Sequence, residues 1–432
     1  MLGILIGLVL LMVLAYFGWS IIWLAPLIAG VVAFLNGMNI LDTYTGEYMQ
    51  GFVDFTKAWF PVFMLGAIFG KVMDDTGAAK SVAMWITKVI GKKRAILGVL
   101  IASAVLTYGG VSLFVVVFAV YPITLALFKE ANISRTLIPP TLVLGAFTFT
   151  MTAVPGSPQI QNLIPMNYFK TTPMAAPIIG IVASLIMALG GYFYLAYRQK
   201  KLEEQGIGYV EPEEKAENEE KDTEEKEVST PNPFLSFLPL IVIVILLNAF
   251  HIDIIISMIV GILLTMILNP KKVKGFLGSI NAGAKGAVVA IINTAAAVGF
   301  GAVVKAVPDF SKITDMLMGI KGSPLISEAL TTQLMAGVTG SASGGMGIVL
   351  EALGSQYYDL AIASGINLEA FHRIASVASG ALILPHNGAL LTLLAVTGIT
   401  HKESYKDVFV IGVIIPTIAT VVGIVLATIG II

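Results

Sequence analysis

Long apolar runs, separated only by short polar segments, limit what this chain can fold into. Leu2–Gly18, Ile21–Leu35, Pro177–Tyr197, Phe234–Phe250, Ile254–Leu268 and Val408–Ile432 are each almost free of charge. Crossing about 30 Å of hydrocarbon takes about 20 such residues in a helix. Inside lipid, only helices and closed barrels satisfy their own backbone hydrogen bonds. The charge supply agrees, since 12% of the 432 residues are charged and 56% hydrophobic, against about 25% charged in a soluble domain. An all-α polytopic membrane protein is expected. No basic residues precede the first run and no small-residue cleavage site follows it, so it reads as a span rather than a removed leader.

Lysine and arginine gather in Lys88–Arg94, Arg198–Lys201, Lys271–Lys274 and His401–Lys406. Basic loops stay in the cytoplasm, which places these four inside, the neutral loop Asn36–Thr56 outside, and both termini outside. Arg198–Pro233 holds 12 of the 27 acidic residues and almost no large apolar ones. Such a stretch cannot bury enough surface to offset the cost of ordering it. The expected organisation is therefore an N-terminal membrane half (1–197), a flexible charged cytoplasmic linker (198–233) and a C-terminal membrane half (234–432).

With no cysteine there are no disulfides, thiolate metal sites or thiol nucleophiles. His251, His372, His386 and His401 show no metal-ligand spacing. No Ser/Lys or paired-Asp pattern suggests an intramembrane enzyme. No metal, cofactor, nucleic-acid partner or catalytic residue is expected, and the lipid bilayer is the obligatory surrounding.

The two halves resemble each other. Phe69-Gly70 recurs as Phe300-Gly301, Thr107–Ser112 (TYGGVS) lines up with Thr339–Gly344 (TGSASG), and Pro155–Pro158 (PGSP) lines up with Pro385–Gly388 (PHNG), each about 231 residues on. The span Trp59–Met73 runs inward towards basic Lys92-Lys93-Arg94, whereas Lys285–Val307 starts from the basic Lys271–Lys274 loop, so its following helix Asp309–Ile320 falls outside. Equivalent elements then point in opposite directions, as in the inverted-topology repeats of secondary transporters.

Within each half the apolar pattern breaks twice. TYGGVS and TGSASGGMG lie between segments too short to cross alone, which reads as a re-entrant helical hairpin with a small-residue tip. Pro155–Asn162 and Pro385–Gly388 each interrupt what would otherwise be one span, which reads as a broken transmembrane helix. Proline removes backbone donors, half-helix N-termini attract anions, and freed carbonyls suit cations. Gly and Ser also serve close helix packing, but four clusters in repeat-related pairs favour a binding site. The candidate substrate-binding residues are Thr107, Gly109, Gly110, Ser112, Ser157, Gln159, Asn162, Ser341, Ser343, Gly344, His386 and Asn387. An ionisable residue at membrane depth is a functional candidate, so His386 and Glu351 are the candidates for carrying a coupling proton.

At these motifs the chain resembles the gluconate:proton symporter (gluconate/hydroxybutyrate permease) family of the ion transporter superfamily. TYGGVSLFVVVFAVYPI (107–123), AVPGSPQIQN (153–162), TGSASGGMGIVLEAL (339–353) and LPHNGALLTLLAVTG (384–398) carry the likeness. It implies a homodimer in the bacterial inner membrane, with tips facing broken helices across a small hydroxylated organic anion of the gluconate or 3-hydroxybutyrate type. It also implies proton symport by an elevator-like movement. A sodium-coupled di- or tricarboxylate carrier and an anion channel are the competing readings.

Overall fold

A computed structural model describes residues 2–17, 19–91, 94–211, 231–308, 310, 323–385 and 387–432. Among the described residues every regular element is helical. The expected linker lies mostly outside them, as does the expected outer helix Asp309–Ile320.

Two helices open the chain, α1 (Leu2–Tyr16) and α2 (Ile21–Leu35). The long α3 (Ile40–Asp75) contains a π turn at Tyr44–Tyr48. There follow α4 (Ala78–Ile90), α5 (Ala95–Tyr108) and α6 (Leu113–Glu130). Then come three short pieces, α7 (Ile138–Leu142), α8 (Phe149–Thr152) and α9 (Ile160–Phe169), before the long α10 (Pro177–Glu204). Beyond the acidic segment lie α11 (Pro233–Asn248), α12 (Ile254–Leu268) and the long α13 (Val273–Ala306). The chain ends with α14 (Pro324–Thr339), α15 (Ala342–Ser364), α16 (Leu368–Ser379), α17 (Gly388–Thr397) and α18 (His401–Thr428), which carries a π turn at Val410–Ile414.

Four of these helices (α3, α10, the helix containing α13, and α18) are long and apolar enough to cross a membrane. Their outward faces are apolar as well. Along α10, Ile178, Ile181, Leu185, Leu189 and Phe193 form an exposed stripe, while Ile179, Ala183, Met187 and Gly191 face inward. A water-soluble helix would turn charge outward, so this pattern fits a lipid-facing surface.

Small residues set the closest helix contacts. A Cβ on Gly51 would stand 2.6 Å from the Ala302 Cβ, one on Gly283 would stand 2.6 Å from the Ile68 Cα, and one on Gly299 would meet the Tyr48 carbonyl at 2.8 Å. Contacts that pair the start of α3 with the end of α13, and the reverse, make the two helices antiparallel. In lipid, where apolar burial gives little preference for helix association, such close backbone approach is what packing can use. α13 begins at Val273, a dozen residues before the expected Lys285: the Gly- and Ala-rich stretch is helix, not loop, and it touches α3 at Gly283 and through the Ser279 hydroxyl, which donates to Asp75 Oδ2 at 2.7 Å.

The last long helices repeat the arrangement. Ile179 of α10 meets Gly423 of α18, Gly190 meets Ile415, and Arg198 meets Asp407, so α10 and α18 are antiparallel too. The Asp407 carboxylate accepts from Arg198 Nε at 2.6 Å, from Arg198 Nη2 at 3.2 Å and from the Tyr194 hydroxyl at 2.6 Å. Two basic clusters expected on one side of the membrane, Arg198–Lys201 and His401–Lys406, are thereby brought together.

Candidate functional site

The first interruption begins upstream of its prolines. A π turn at Val143–Phe147 follows α7, and Thr148 then leaves helical geometry at φ −111, ψ −112. Threonine hydroxyls take up carbonyls along this stretch: Thr148 Oγ1 donates to Leu144 O at 2.7 Å and Thr150 Oγ1 to Gly145 O at 2.7 Å. The Ser157 hydroxyl donates to Thr150 O at 3.0 Å. Gly156 turns the chain at φ 78, which a Cβ would disfavour. The irregular backbone therefore runs through 153–159, and Asn162 falls in the first turn of α9 instead of in the gap.

The α5–α6 connection closes on this gap. Gln159 Nε2 donates to Thr107 O at 2.6 Å and the Tyr108 hydroxyl to Pro155 O at 3.1 Å. Gly110, at φ 94, lets the turn lie against Pro158, 3.4 Å from where its Cβ would be. Gly109 packs on Leu240, and Ser112 precedes α6 with no side-chain bond to that helix. Thr107 Oγ1 is buried and has no hydrogen-bond partner among the described residues.

The second interruption spans 380–387, wider than the expected Pro385–Gly388. Asn387 caps α17 by accepting from the Ala389 and Leu390 amides, each at 3.1 Å. The α14–α15 turn closes on it through the Gly388 amide, which donates to Gly340 O at 3.2 Å. Ser341 Oγ accepts from the Gly344 amide at 3.1 Å, and Ser343 Oγ lies 3.4 Å from Thr294 Oγ1. His386 lies outside the described residues. In the first half, then, Thr107 and Gly110 of the tip touch Gln159 and Pro158 of the gap, whereas in the second the contact runs through Gly340 and Gly388, with Ser341 and Ser343 bonded to Gly344 and Thr294 instead.

The two gaps also meet. Ser376 Oγ donates to Thr152 O at 2.6 Å, and a Cβ on Gly380 would stand 2.7 Å from Thr152 Cγ2. Further along, Arg135 Nη2 donates to Thr397 O at 3.1 Å, and Asn162 pairs with Arg373. The broken helices thus cross antiparallel, each gap lying beside its partner.

At that crossing lies a pair of ionisable residues that the sequence reading passed over. His372 and Arg373 are completely buried. Arg373 donates from Nη1 to Asn162 Oδ1 at 2.8 Å, from Nε to Ala175 O at 2.9 Å, and from Nη2 to Ala175 O and Pro173 O at 2.7 and 3.1 Å. Asn162 Oδ1 also accepts from His372 Nε2 at 3.2 Å, which leaves Nδ1 to accept from the Thr171 hydroxyl at 2.6 Å. Asn162 Nδ2 donates to Ser157 O and Pro173 O at 2.8 and 2.9 Å. Asn162 therefore spends its polar atoms on holding the first gap and the 171–175 turn to α16. Among the described residues no carboxylate lies within ion-pair distance of Arg373; Glu369, one turn earlier on α16, acts on it only from a distance while accepting from the Ala176 amide. The missed signal was available: Phe371-His372-Arg373 runs straight into Ile374–Ala378 with no aqueous loop between. The polar neighbours Asn367 and Glu369 made it look like an exposed helix start.

Glu351 is engaged elsewhere, accepting from the Tyr168 hydroxyl at 3.4 Å and pairing with Lys305 at 3.8 Å. A cavity of about 220 Å³, lined by Asp75, Thr76, Lys271, Lys272, Lys274 and Ser279 among others, sits where α3 meets the start of α13, and none of the candidate residues lines it.

An apolar-faced helical bundle with two crossing interrupted helices fits a polytopic membrane protein, and comparison with known proteins gives the class as a transporter. Residues 1–252 match the model of the GntP family permease. Over 449 aligned residues, 95% of each chain, the protein is 41% identical to the uncharacterised transporter YxjC of Bacillus subtilis. An uncharacterised transporter of Haemophilus influenzae is 28% identical over 138 residues, about a third of each chain. The chain belongs to the GntP permease family.

Proposed function

We propose that this permease imports small hydroxylated monocarboxylates, of the gluconate or 3-hydroxybutyrate type, by proton symport. The observation that carries the reading is Arg373: a buried guanidinium with no carboxylate partner, fixed where the two gaps cross. Removing a full charge from water is costly. A site that keeps one without a direct ion pair offers an attraction to an anion. Around it, the N-termini of α6, α9, α15 and α17 begin at the tips and gaps, and each adds a partial positive end. The free Thr107 hydroxyl, with Ser112, Ser157, Gln159, Ser341 and Ser343, offers partners for a polyhydroxy chain. One co-transported proton offsets the anion's charge, which the membrane potential would otherwise oppose by about 2.3 kcal/mol per 100 mV.

Element order supports two inverted repeats in this reading. A long helix, a two-helix connection with a small-residue tip, an interrupted helix and another long helix occur as α3 to α10 and again as α13 to α18. Corresponding long helices lie antiparallel. Tips and gaps bonded together as one body would suit an elevator-like movement against a scaffold built by a second copy. Membrane halves at 1–197 and 234–432 joined by the charged linker, and residence in the bacterial inner membrane, belong to the same proposal.

The test is counterflow in proteoliposomes with labelled gluconate, 3-hydroxybutyrate and a dicarboxylate. Exchange of the first two, driven further by an inward pH gradient without sodium, is expected. Exchange of the dicarboxylate alone, or accumulation that needs sodium and ignores pH, would refute the proposal.

A further inference from the structure

Glu328 is a buried carboxylate for which the described residues provide no partner. It lies one turn into α14 and is completely buried, and neither of its carboxylate oxygens receives a hydrogen bond. Four residues on, Thr332 Oγ1 is likewise buried and unbonded. On the neighbouring face Ser327, Thr331 and Tyr357 bond to one another: Thr331 Oγ1 lies 2.8 Å and Ser327 Oγ 3.2 Å from the Tyr357 hydroxyl. None of them donates to the Glu328 carboxylate; Thr331 Oγ1 reaches only the Glu328 backbone carbonyl, at 3.2 Å.

No element packed on α14 supplies a cation. Neither α1 nor the segment Ile415–Thr428 of α18 contains a charged residue. On α15, Glu351 is tied to Lys305 and Tyr168, and Asp359 is exposed. On α16, Glu369 accepts from the Ala176 amide at 2.9 Å, while His372 and Arg373 spend their donors on Asn162 and the 171–175 turn. An ionised carboxylate in this setting would have neither counter-charge nor donor among the described residues, a costly state in the interior. Its neutral, protonated form avoids most of that cost.

The position also links the residue to the candidate site. Glu328, Thr332 and Thr339 lie on one stripe of α14, because residues four apart share a face. Eleven residues at 1.5 Å each put Glu328 about 16 Å from the tip at Thr339–Gly344. A hard cation would want several oxygen ligands, yet the nearby hydroxyls of Ser327, Thr331 and Tyr357 are already paired together.

We infer that Glu328 is the proton-carrying residue of this transporter. Its carboxylate takes a proton from water on the side of entry, one O–H bond forms, and the neutral carboxyl moves buried with the anion-loaded body. The same bond breaks when water on the far side reaches it. This assignment rests on the proton-symport reading and names a residue that the sequence motifs did not single out.

The experiment uses the full-length protein in proteoliposomes, with Glu328→Gln and Glu328→Asp. Accumulation of labelled substrate under a pH gradient is divided by exchange at equal pH on both sides, so that a general loss of function cancels. Infrared difference spectroscopy of the same samples follows the carbonyl stretch of a protonated carboxylic acid. The Gln variant is expected to lower the ratio at least tenfold and to lack a band present in wild type, and the Asp variant to keep both. A Gln variant with the wild-type ratio overturns the assignment and leaves proton symport standing. Wild-type protein that ignores the pH gradient overturns both the coupling and the role of Glu328 in it.

Discussion

Asn162→Ala puts the crossing of the interrupted helices to its most direct test. The amide of Asn162 makes four hydrogen bonds, two accepted from Arg373 and His372 and two donated to Ser157 O and Pro173 O. Truncation strands an Arg373 N–H, the His372 Nε2–H and the Ser157 carbonyl in the interior, while Pro173 O keeps its bonds from Arg373 Nη2 and the Gly156 amide. A hydrogen bond to a charged group contributes about 1.5–3 kcal/mol, and each stranded neutral group costs about 1–3 kcal/mol. These losses overlap, so a total of about 3–5 kcal/mol is expected, similar to breaking a buried charged pair. At about 2 °C per kcal/mol, the melting temperature should fall by on the order of 6–10 °C. The measurement is thermal loss of the monodisperse peak in detergent, with Arg373→Met and the double variant alongside. Because both single changes remove one shared interaction, the double variant should lose clearly less than the two together. An Asn162→Ala melting point within a degree of wild type, or strict additivity in the double variant, would refute the clamp.

Other consequences follow from the same geometry. Gln159→Ala breaks the bond that ties the first tip to its gap, and should weaken substrate binding about tenfold in equilibrium binding assays while leaving expression intact. Gly283→Val drives a side chain into the Ile68 backbone and should abolish recovery of monodisperse protein, whereas Gly275→Ala, with nothing within 4 Å, should have no effect. Asp407→Asn strips the charge from a buried carboxylate held by Arg198 and Tyr194, and should speed proteolysis at the α10–α18 end; unchanged digestion would argue against that pair's importance. Removing about half of 212–230 should leave counterflow intact, since a segment of that composition adds little buried contact.

Much of the architecture was legible because lipid imposes simple rules. Ile21–Leu35 and Ile254–Leu268 are helices over the whole of their apolar runs, since charge-free stretches of that length have few alternatives. The gaps announced themselves through Pro155, Pro158 and Pro385. What did not show was everything that depends on the other half of the chain. Thr148–Thr152 opens the first gap without any proline, by hydroxyls competing for carbonyls. The start of α13 hid in a glycine-rich stretch whose contact with α3, at Gly283, no local pattern encodes. Glu328 and Arg373 were passed over because each has polar sequence neighbours, and only packing removes them from water. Asn162 was legible as important, but its partners lie about 210 residues away and no local pattern encodes them.

That separation governs when the protein can mature. The 171–175 turn presents the carbonyls of Pro173 and Ala175 to a guanidinium that leaves the ribosome roughly 200 residues later. At about 5–20 residues per second, this is an interval of about 10–40 s. Throughout it, the emerging first half sits in the bilayer with the Ala175 carbonyl and the Ala176 amide still without the α16 partners they have in the finished fold. Completion of the transport site is therefore among the last events of biosynthesis. A nascent chain arrested before Leu368 should remain open to protease at 153–176 after its upstream helices are protected.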